Sequence, residues 1–234
     1  SLVTLICLIM DVSIMRQIKV TKDFINTAEN SVLYESGNTK VLITVSVTDR
    51  VPDWLSNSEK GWVTAEYNML PGSSGNRISR KSFESGRSKE ISRLIGRSLR
   101  AVCNLAIING YSFTVDCDVL EADGGTRTAS INGAWIALND TFEKMMQQNK
   151  LIQNPLISKV GAISVGIVDG ELIADLDYER DSNADVDLNL VLDEKFEIIE
   201  IQGTAEGKTF SKDYLDQLFE LAKECIKEVF EIQN

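Results

Sequence analysis

Thr114-Val-Asp-Cys-Asp-Val-Leu-Glu-Ala-Asp-Gly-Gly-Thr-Arg-Thr-Ala-Ser-Ile-Asn-Gly-Ala134 contains the change of periodicity that decides the fold. From Ser112 to Val119, Phe113, Val115, Cys117 and Val119 alternate with polar partners, which predicts a strand. Gly124 and Gly125 then free the backbone. Beyond them Ile131, Ala134, Trp135, Leu138, Phe142 and Met145 recur at helical spacing, predicting a helix from Ser130 to about Gln148. Upstream, Lys40 to Val47 reads as a strand. Upstream too, Ser88 to about Cys103 reads as a helix with Ile91, Leu94, Ile95, Leu99 and Val102 on one stripe. Downstream, Val160–Val168 and Glu171–Leu176 flank Asp169-Gly170, a tight-hairpin signal. Leu188–Leu192 and Phe196–Ile201 predict a second hairpin. Ser211 is placed to cap a last helix reaching about Ile232. Strands, helix, strands, helix: the order implies an α+β fold of layered sheets and packed helices. It allows two related halves, without a convincing internal repeat.

The 234 residues are 43% hydrophobic and 25% charged, an ordinary globular balance, with no low-complexity tail. Cys7, Cys103, Cys117 and Cys225 form no C-x-x-C pair, and the last three lie in apolar segments. They are expected to be reduced, buried thiols of a cytoplasmic protein. The chain contains no histidine. Ser-His-Asp and Cys-His catalysis, His-ligated zinc and a histidine base are therefore excluded. SLVTLICLIM, the first ten residues, lacks the basic start of a signal peptide and is too short to span a bilayer, which takes about 20 apolar residues. Residues 1–14 are read as a variable or vector-derived segment, 15–234 as a single catalytic domain, and no membrane partner is expected.

The net charge is −11. Residues 77–100 nevertheless hold eight basic groups against Glu84 and Glu90, or +6. The remainder of the chain then carries −17. Residues 171–200 hold eleven acids against Arg180 and Lys195, or −9. Such opposed segments suit an anion site beside a cation site, or equally two solvated faces of opposite sign.

Three segments carry chemistry. Glu84-Ser-Gly-Arg87 runs into a helix, whose N-terminal N–H groups beside Arg87 would attract an anion; an arginine paired with a nearby carboxylate fits as well. In Ala122 to Ser130 two glycines precede Thr126-Arg127-Thr128. The backbone there can approach an anion, or simply turn tightly into a capped helix. The P-loop pattern is absent. Asp175, Asp177, Asp181, Asp185 and Asp187 crowd thirteen residues, a charge density that a divalent cation or plain solvation would relieve. An EF-hand is excluded, because counting from Asp181 the sixth position is Val186 and the twelfth Leu192.

Together these strings resemble the ribonuclease PH family. GWVTAEYNMLPG (Gly61–Gly72), SGRSKEISRLIGRSLRAV (Ser85–Val102), the opening stretch, AISVGIVDGE (Ala162–Glu171), DLDYERDSNADVDLN (Asp175–Asn189) and IEIQGTAEG (Ile199–Gly207) match in order from about residue 15 onward. The resemblance implies a ribonuclease PH fold of the ribosomal protein S5 domain 2-like kind. It also implies a phosphorolytic 3′→5′ exoribonuclease, or tRNA nucleotidyltransferase, that releases nucleoside diphosphates from RNA and tRNA precursors, with inorganic phosphate as co-substrate. By position Arg87, Gly125, Thr126 and Arg127 would bind phosphate, with Arg87 and Arg127 counted as catalytic. Asp181 and Asp187 would be catalytic and hold Mg²⁺ or Mn²⁺. Arg77, Arg80, Arg93 and Arg97 would guide RNA, with Arg100 as a further candidate, although the helix arginines fit pairing at a subunit interface equally. Relatives form hexameric rings, trimers of dimers, which implies a homo-oligomer here.

The chain departs from the family pattern in three places. Met15-Arg16-Gln17 replaces an arginine-rich Leu-Arg-Pro stretch. Gly72 follows Met69-Leu-Pro71 where arginine is usual, and the loop before Arg87 is shorter. Arg180 replaces an acid before Asp181, with Glu179 as its expected partner. A non-catalytic RNA-binding ring subunit of an exosome-like assembly would have lost one of the five matched residues, and none is lost. A phosphate-binding metalloprotein unrelated to RNA would rest on the generic chemistry alone.

Overall fold

The computed structural model describes residues 15–207 and 209–234, so the expectations for residues 1–14, Cys7 included, lie outside it. Five strands form the first sheet: β1 (Ile18–Lys22), β2 (Asn30–Ser36), β3 (Thr39–Thr48), β4 (Trp62–Met69) and β5 (Ser112–Glu121), in the order β1-β2-β3-β5-β4. On β3 and β5 the alternation is realised: Val41, Ile43, Val45, Phe113, Val115 and Cys117 are buried. β4 runs parallel to β5. Parallel neighbours need a crossover, which α1 (Gly86–Ala101) supplies. Helix α1 begins two residues before the expected Ser88, because Ser85 caps it by accepting the Ser88 amide at 3.1 Å. Arg87 is thereby placed on the first turn.

Helix α2 (Thr126–Gln147) starts four residues earlier than Ser130. Its polar first turn carries no apolar stripe to mark it; the start is set instead by Gly125 in the left-handed region at φ 62°. The helix is buried nearly all round because it lies between two sheets. Gly133 permits this closeness: a Cβ there would stand 2.5 Å from Ile43 Cδ1 and 2.9 Å from Tyr34 Cβ. On the other side Asn132 acts as a strand partner for β6. Its Nδ2 donates to Ala162 O at 2.9 Å and its Oδ1 accepts Ala162 N at 2.8 Å, at a point that β7 does not reach.

The second sheet is antiparallel, with order β7-β6-β8-β9: β6 (Val160–Val168), β7 (Glu171–Ala174), β8 (Val186–Asp193) and β9 (Ile198–Ala205). Strand β6 is a continuous apolar run because α2 covers one face and α4 (Lys212–Ile232) packs on the other. Ile163, Val165, Leu188 and Leu190 meet Leu218, Ala222, Ile226 and Val229 of α4 in a second core. The Asp169-Gly170 turn has both residues at positive φ, as the hairpin requires. Strand β7 stops before Leu176 because Asp175 turns left-handed at φ 51°. Strand β9 begins after Phe196, not at it. Asp193 Oδ1 accepts the amides of Lys195 and Glu197, and Phe196 sits at φ 62° in that turn. Asp177 caps a short helix, α3 (Tyr178–Ser182), inside the acidic segment, where composition alone suggested a polar loop. Cys103, Cys117 and Cys225 are buried free thiols, as expected, and burial pushes Cys103 and Cys225 up to about 12.

Gly133→Val should lower stability by about 1–3 kcal/mol through overpacking, despite valine's better helix propensity. Urea unfolding monitored by circular dichroism measures it, and an unchanged midpoint would mean that α2 does not need this close approach.

Candidate active site

Arg16 enters the site in a way that the sequence did not reveal. Its Nε and Nη2 donate to Asp175 Oδ2 and Oδ1 at 2.9 and 2.7 Å, and its backbone N–H reaches Oδ2 at 3.0 Å. Ser36 adds a longer bond at 3.4 Å. Arg16 Nη1 also donates to the carbonyl of Asp123. Asp175 is only 3% exposed, so this bidentate pair replaces the water it lost.

Asp123 continues the chain of contacts. Its Oδ1 accepts the Tyr178 amide at the start of α3, at 3.2 Å, and its Oδ2 accepts Asn38 Nδ2 at 3.1 Å. Gly124 packs so closely on the 176–177 backbone that a Cβ would lie 2.3 Å from Leu176 O. Only glycine fits there, at φ 72°. The glycine loop and the acidic helix are thus held against each other. Behind the loop, the Thr126 hydroxyl bonds the Tyr67 hydroxyl at 2.8 Å.

Four of the five matched residues, Arg87, Arg127, Asp181 and Asp187, lie close enough to act on one another electrostatically, while the fifth, Thr126, is buried next to Arg127 with its hydroxyl on Tyr67 rather than free for phosphate. Arg87 projects from the first turn of α1 and is exposed. Arg127 lies on the first turn of α2, its side chain 15% exposed. Its Nη1 donates to Glu90 Oε1 at 3.3 Å and to Gln202 Oε1 of β9, while Gln202 Nε2 donates to the same Glu90 oxygen at 3.1 Å. Asp181 stands on α3 and Asp187 on β8, opposite Gly166 of β6. Desolvation raises Asp187 to about 6, the Asp181 carboxylate pushes the same way, and Arg127 opposes both. Desolvation also raises Asp181, against the pull of Arg87 and Arg127. Two carboxylates that repel each other beside two arginines make a cleft that disfavours its own negative charge. A hard divalent cation would relieve it. Both offer the hard oxygen ligands such a cation takes, and among the described residues no group of three or more Asp, Glu, Cys or His could hold a metal ion.

The remaining basic residues divide. Arg77, Arg80 and Arg93 are exposed, Arg93 beside a groove lined by Glu66, Lys89, Asp116 and Asp118. Arg97 is engaged: its Nη2 lies 3.1 Å from both oxygens of Glu200 on β9. Arg100 turns inward, donating to Val63 O at 2.8 Å with its guanidinium 4.3 Å above Trp62. Its expected role on RNA gives way to this packing. Arg180 pairs with Asp177 at 3.8 Å, not with Glu179, because Asp177 already caps that helix turn. Gly72 has open space around it. Arg16, Asp123, Glu90 and Gln202 were missed as members of the site; Glu90, one turn beyond Arg87 on the same helix, was the nearest to a signal.

Comparisons with known proteins bear on the family of the chain. Residues 14–142 match the model of the 3′ exoribonuclease family, domain 1, and residues 159–225 match domain 2 of the same family. A ribonuclease PH from Dehalococcoides mccartyi is 52% identical over 223 residues, covering 94% of this chain and 93% of the relative. A ribonuclease PH from a second strain is 51% identical over 94% and 92%. Among solved structures, an Archaeoglobus fulgidus exosome with RNA bound to the active site aligns with a TM-score of 0.79 at 21% identity, over 94% of this chain and 89% of that one. The rice Rrp46 structure aligns at 0.72 and 20% identity, over 94% and 93%. At these identities the two structures bear on the fold alone.

Arg16→Ala leaves Asp175 buried without its partner and should cost about 3–5 kcal/mol, read by urea unfolding. Asp187 should act the other way. A carboxyl titrating at about 6 binds protons in the folded state that the unfolded chain, at about 3.9, has released. Metal-free stability therefore falls as pH rises between those values. Asp187→Asn should raise metal-free stability by about 1–2 kcal/mol at pH 7.5 and by less at pH 5. Melting in EDTA tests this, and an unchanged or lower melting temperature at pH 7.5 would show that the site does not disfavour the charge.

Proposed function

This chain belongs to the 3′ exoribonuclease family, and we propose that it is a phosphate-dependent exoribonuclease trimming RNA 3′ ends, tRNA precursors foremost. The observation that supports this reading is the electrostatic coupling of Arg87 and Arg127 with Asp181 and Asp187, which brings two cations and two carboxylates from four elements into one neighbourhood. An oxygen of inorganic phosphate forms a bond to the terminal phosphorus, the bond from that phosphorus to the preceding 3′ oxygen breaks, and a nucleoside diphosphate leaves. The shortened RNA keeps a 3′ hydroxyl. The reverse reaction adds a nucleotide.

Both reactants are anions, so the chief obstacle is repulsion. Arg87 and Arg127 offset it, and the α2 N-terminus, opened by Gly125, adds N–H groups and partial positive charge. Fixing the two reactants side by side removes the entropy of their encounter. Thr126, whose hydroxyl is tied to Tyr67, keeps the first turn of α2 in place. No histidine base is needed, because phosphate brings its own nucleophilic oxygen. Asp181 and Asp187 would hold Mg²⁺ or Mn²⁺, which supplies charge stabilisation at the scissile phosphate or the departing 3′ oxygen. Arg77, Arg80 and Arg93 would guide the RNA backbone; a phosphate reaching Arg97 would have to displace Glu200.

The same reading has residues 15–234 acting as one catalytic unit, in a cytoplasmic homo-oligomer built as a hexameric trimer of dimers. Concentration of basic charge in 77–100 supports RNA binding by a chain of net charge −11. A short RNA with a free 3′ end, incubated with Mg²⁺ with and without phosphate, tests the activity. Nucleoside diphosphates should appear only with phosphate, and Arg127→Ala should reduce the rate at least 100-fold, roughly the loss of a main transition-state donor. Monophosphates released without phosphate would mean hydrolysis and would overturn the reading.

A further inference from the structure

Arg127 is held from one side only. Its Nη1 is shared between Glu90 Oε1 at 3.3 Å and Gln202 Oε1, while Nε and Nη2 meet no protein acceptor among the described residues. Those two nitrogens form the straight edge of the guanidinium, the edge that binds an oxyanion through two parallel hydrogen bonds. The clamp on Nη1 is itself fixed. Gln202 Nε2 donates to Glu90 Oε1 at 3.1 Å, which settles the amide orientation and aims its carbonyl at Arg127. The three side chains close a ring of hydrogen bonds.

Glu90 shares its helix with Arg87, and Gln202 lies on the strand paired with that of Asp187. Glu90 lies on α1 one turn beyond Arg87. Gln202 lies on β9 opposite Asn189, two residues from the Asp187–Thr204 pair in the same ladder. Asn189 Nδ2 in turn lies 3.4 and 3.5 Å from the Asp187 oxygens. The ring therefore ties the orientation of Arg127 to the helix of Arg87 and to β9, the strand paired with that of Asp187. An arginine with four side-chain torsions has many alignments to choose from, and the ring selects one.

We infer that Glu90 and Gln202 are positioning residues that turn the free Nε–Nη2 edge of Arg127 toward inorganic phosphate. This rests on the reading of Arg127 as a phosphate-binding residue. Neither side chain needs to touch substrate, and both are exposed, so removing them should leave the fold intact.

The test uses the intact chain and compares Gln202→Met, Glu90→Ala and Glu90→Gln with the parent. Gln202→Met keeps the length and loses both hydrogen bonds. The readouts are kcat, KM for inorganic phosphate, thermal melting, and RNA affinity measured by fluorescence anisotropy without phosphate. Gln202→Met and Glu90→Ala should raise the phosphate KM about tenfold, with RNA affinity and melting unchanged. Glu90→Gln, which keeps a neutral acceptor for Arg127 and Gln202, should restore most of the parent value. A parent phosphate KM retained in Gln202→Met would overturn the inference, as would a loss of RNA affinity in place of phosphate affinity, or equal defects in Glu90→Ala and Glu90→Gln. A parent enzyme indifferent to phosphate would instead bring down the proposed function itself, before any variant is compared.

Discussion

The Arg16–Asp175 pair joins the start of β1 to the bend that ends β7, and the geometry of the cleft depends on that junction. Asp175 is buried and turned left-handed, two features that are unfavourable in isolation. Arg16 compensates with three donors and reaches the Asp123 carbonyl as well. Asp123 then caps α3 through Tyr178, and Gly124 closes on Leu176. One guanidinium thus connects the loop of Gly125, Thr126 and Arg127 to the helix of Asp181. The two halves of the site come from different sheets, and this junction joins them beside α2 and the Arg127–Gln202 and Arg97–Glu200 contacts.

Electrostatics explains why the cleft must be so constrained. Arg87 and Arg127 would relax toward Asp181 and Asp187 if they were free to move, collapsing the space between cation and anion groups. Separate anchors prevent it. Arg127 is clamped by Glu90 and Gln202, and Asp187 belongs to a strand paired on both sides. Desolvation and the neighbouring Asp181 carboxylate raise the Asp187 carboxyl, a cost that a bound cation would remove. If Asp187 holds the cation as proposed, stability and function are set against each other at this carboxylate.

Much of this was legible in the residues. Period-two alternation located β3 and β5, and the Asp169-Gly170 turn located the β6–β7 hairpin, because these signals are local. The motif strings brought the five matched residues to notice without showing how they meet. What stayed hidden is what depends on long-range partners. The first turn of α2 is polar, so its start at Thr126 is visible only in the backbone of Gly125. Strand β9 begins late because a side chain, Asp193, claims the turn. Arg100 and Arg97 read as solvent-facing cations on a helix, yet one stacks on Trp62 and the other meets Glu200 across 103 residues. Arg16 stood out in the sequence only as a departure from a family pattern.

That departure shows what a family pattern conveys. An arginine-rich entry stretch suggests contact with RNA, and the single arginine kept at this point does something else: it stabilises a buried carboxylate more than 150 residues away. Electrostatic guidance of a long polyanion can be shared among Arg77, Arg80 and Arg93, since each phosphate contact contributes independently and any one is dispensable. A buried ion pair cannot be shared in that way, because the penalty for breaking it falls on one named partner. Substitution is therefore freer at the surface of the cleft than at its hinge, and the chain's departures at Gly72 and in the loop before Arg87 lie on the side where such freedom exists.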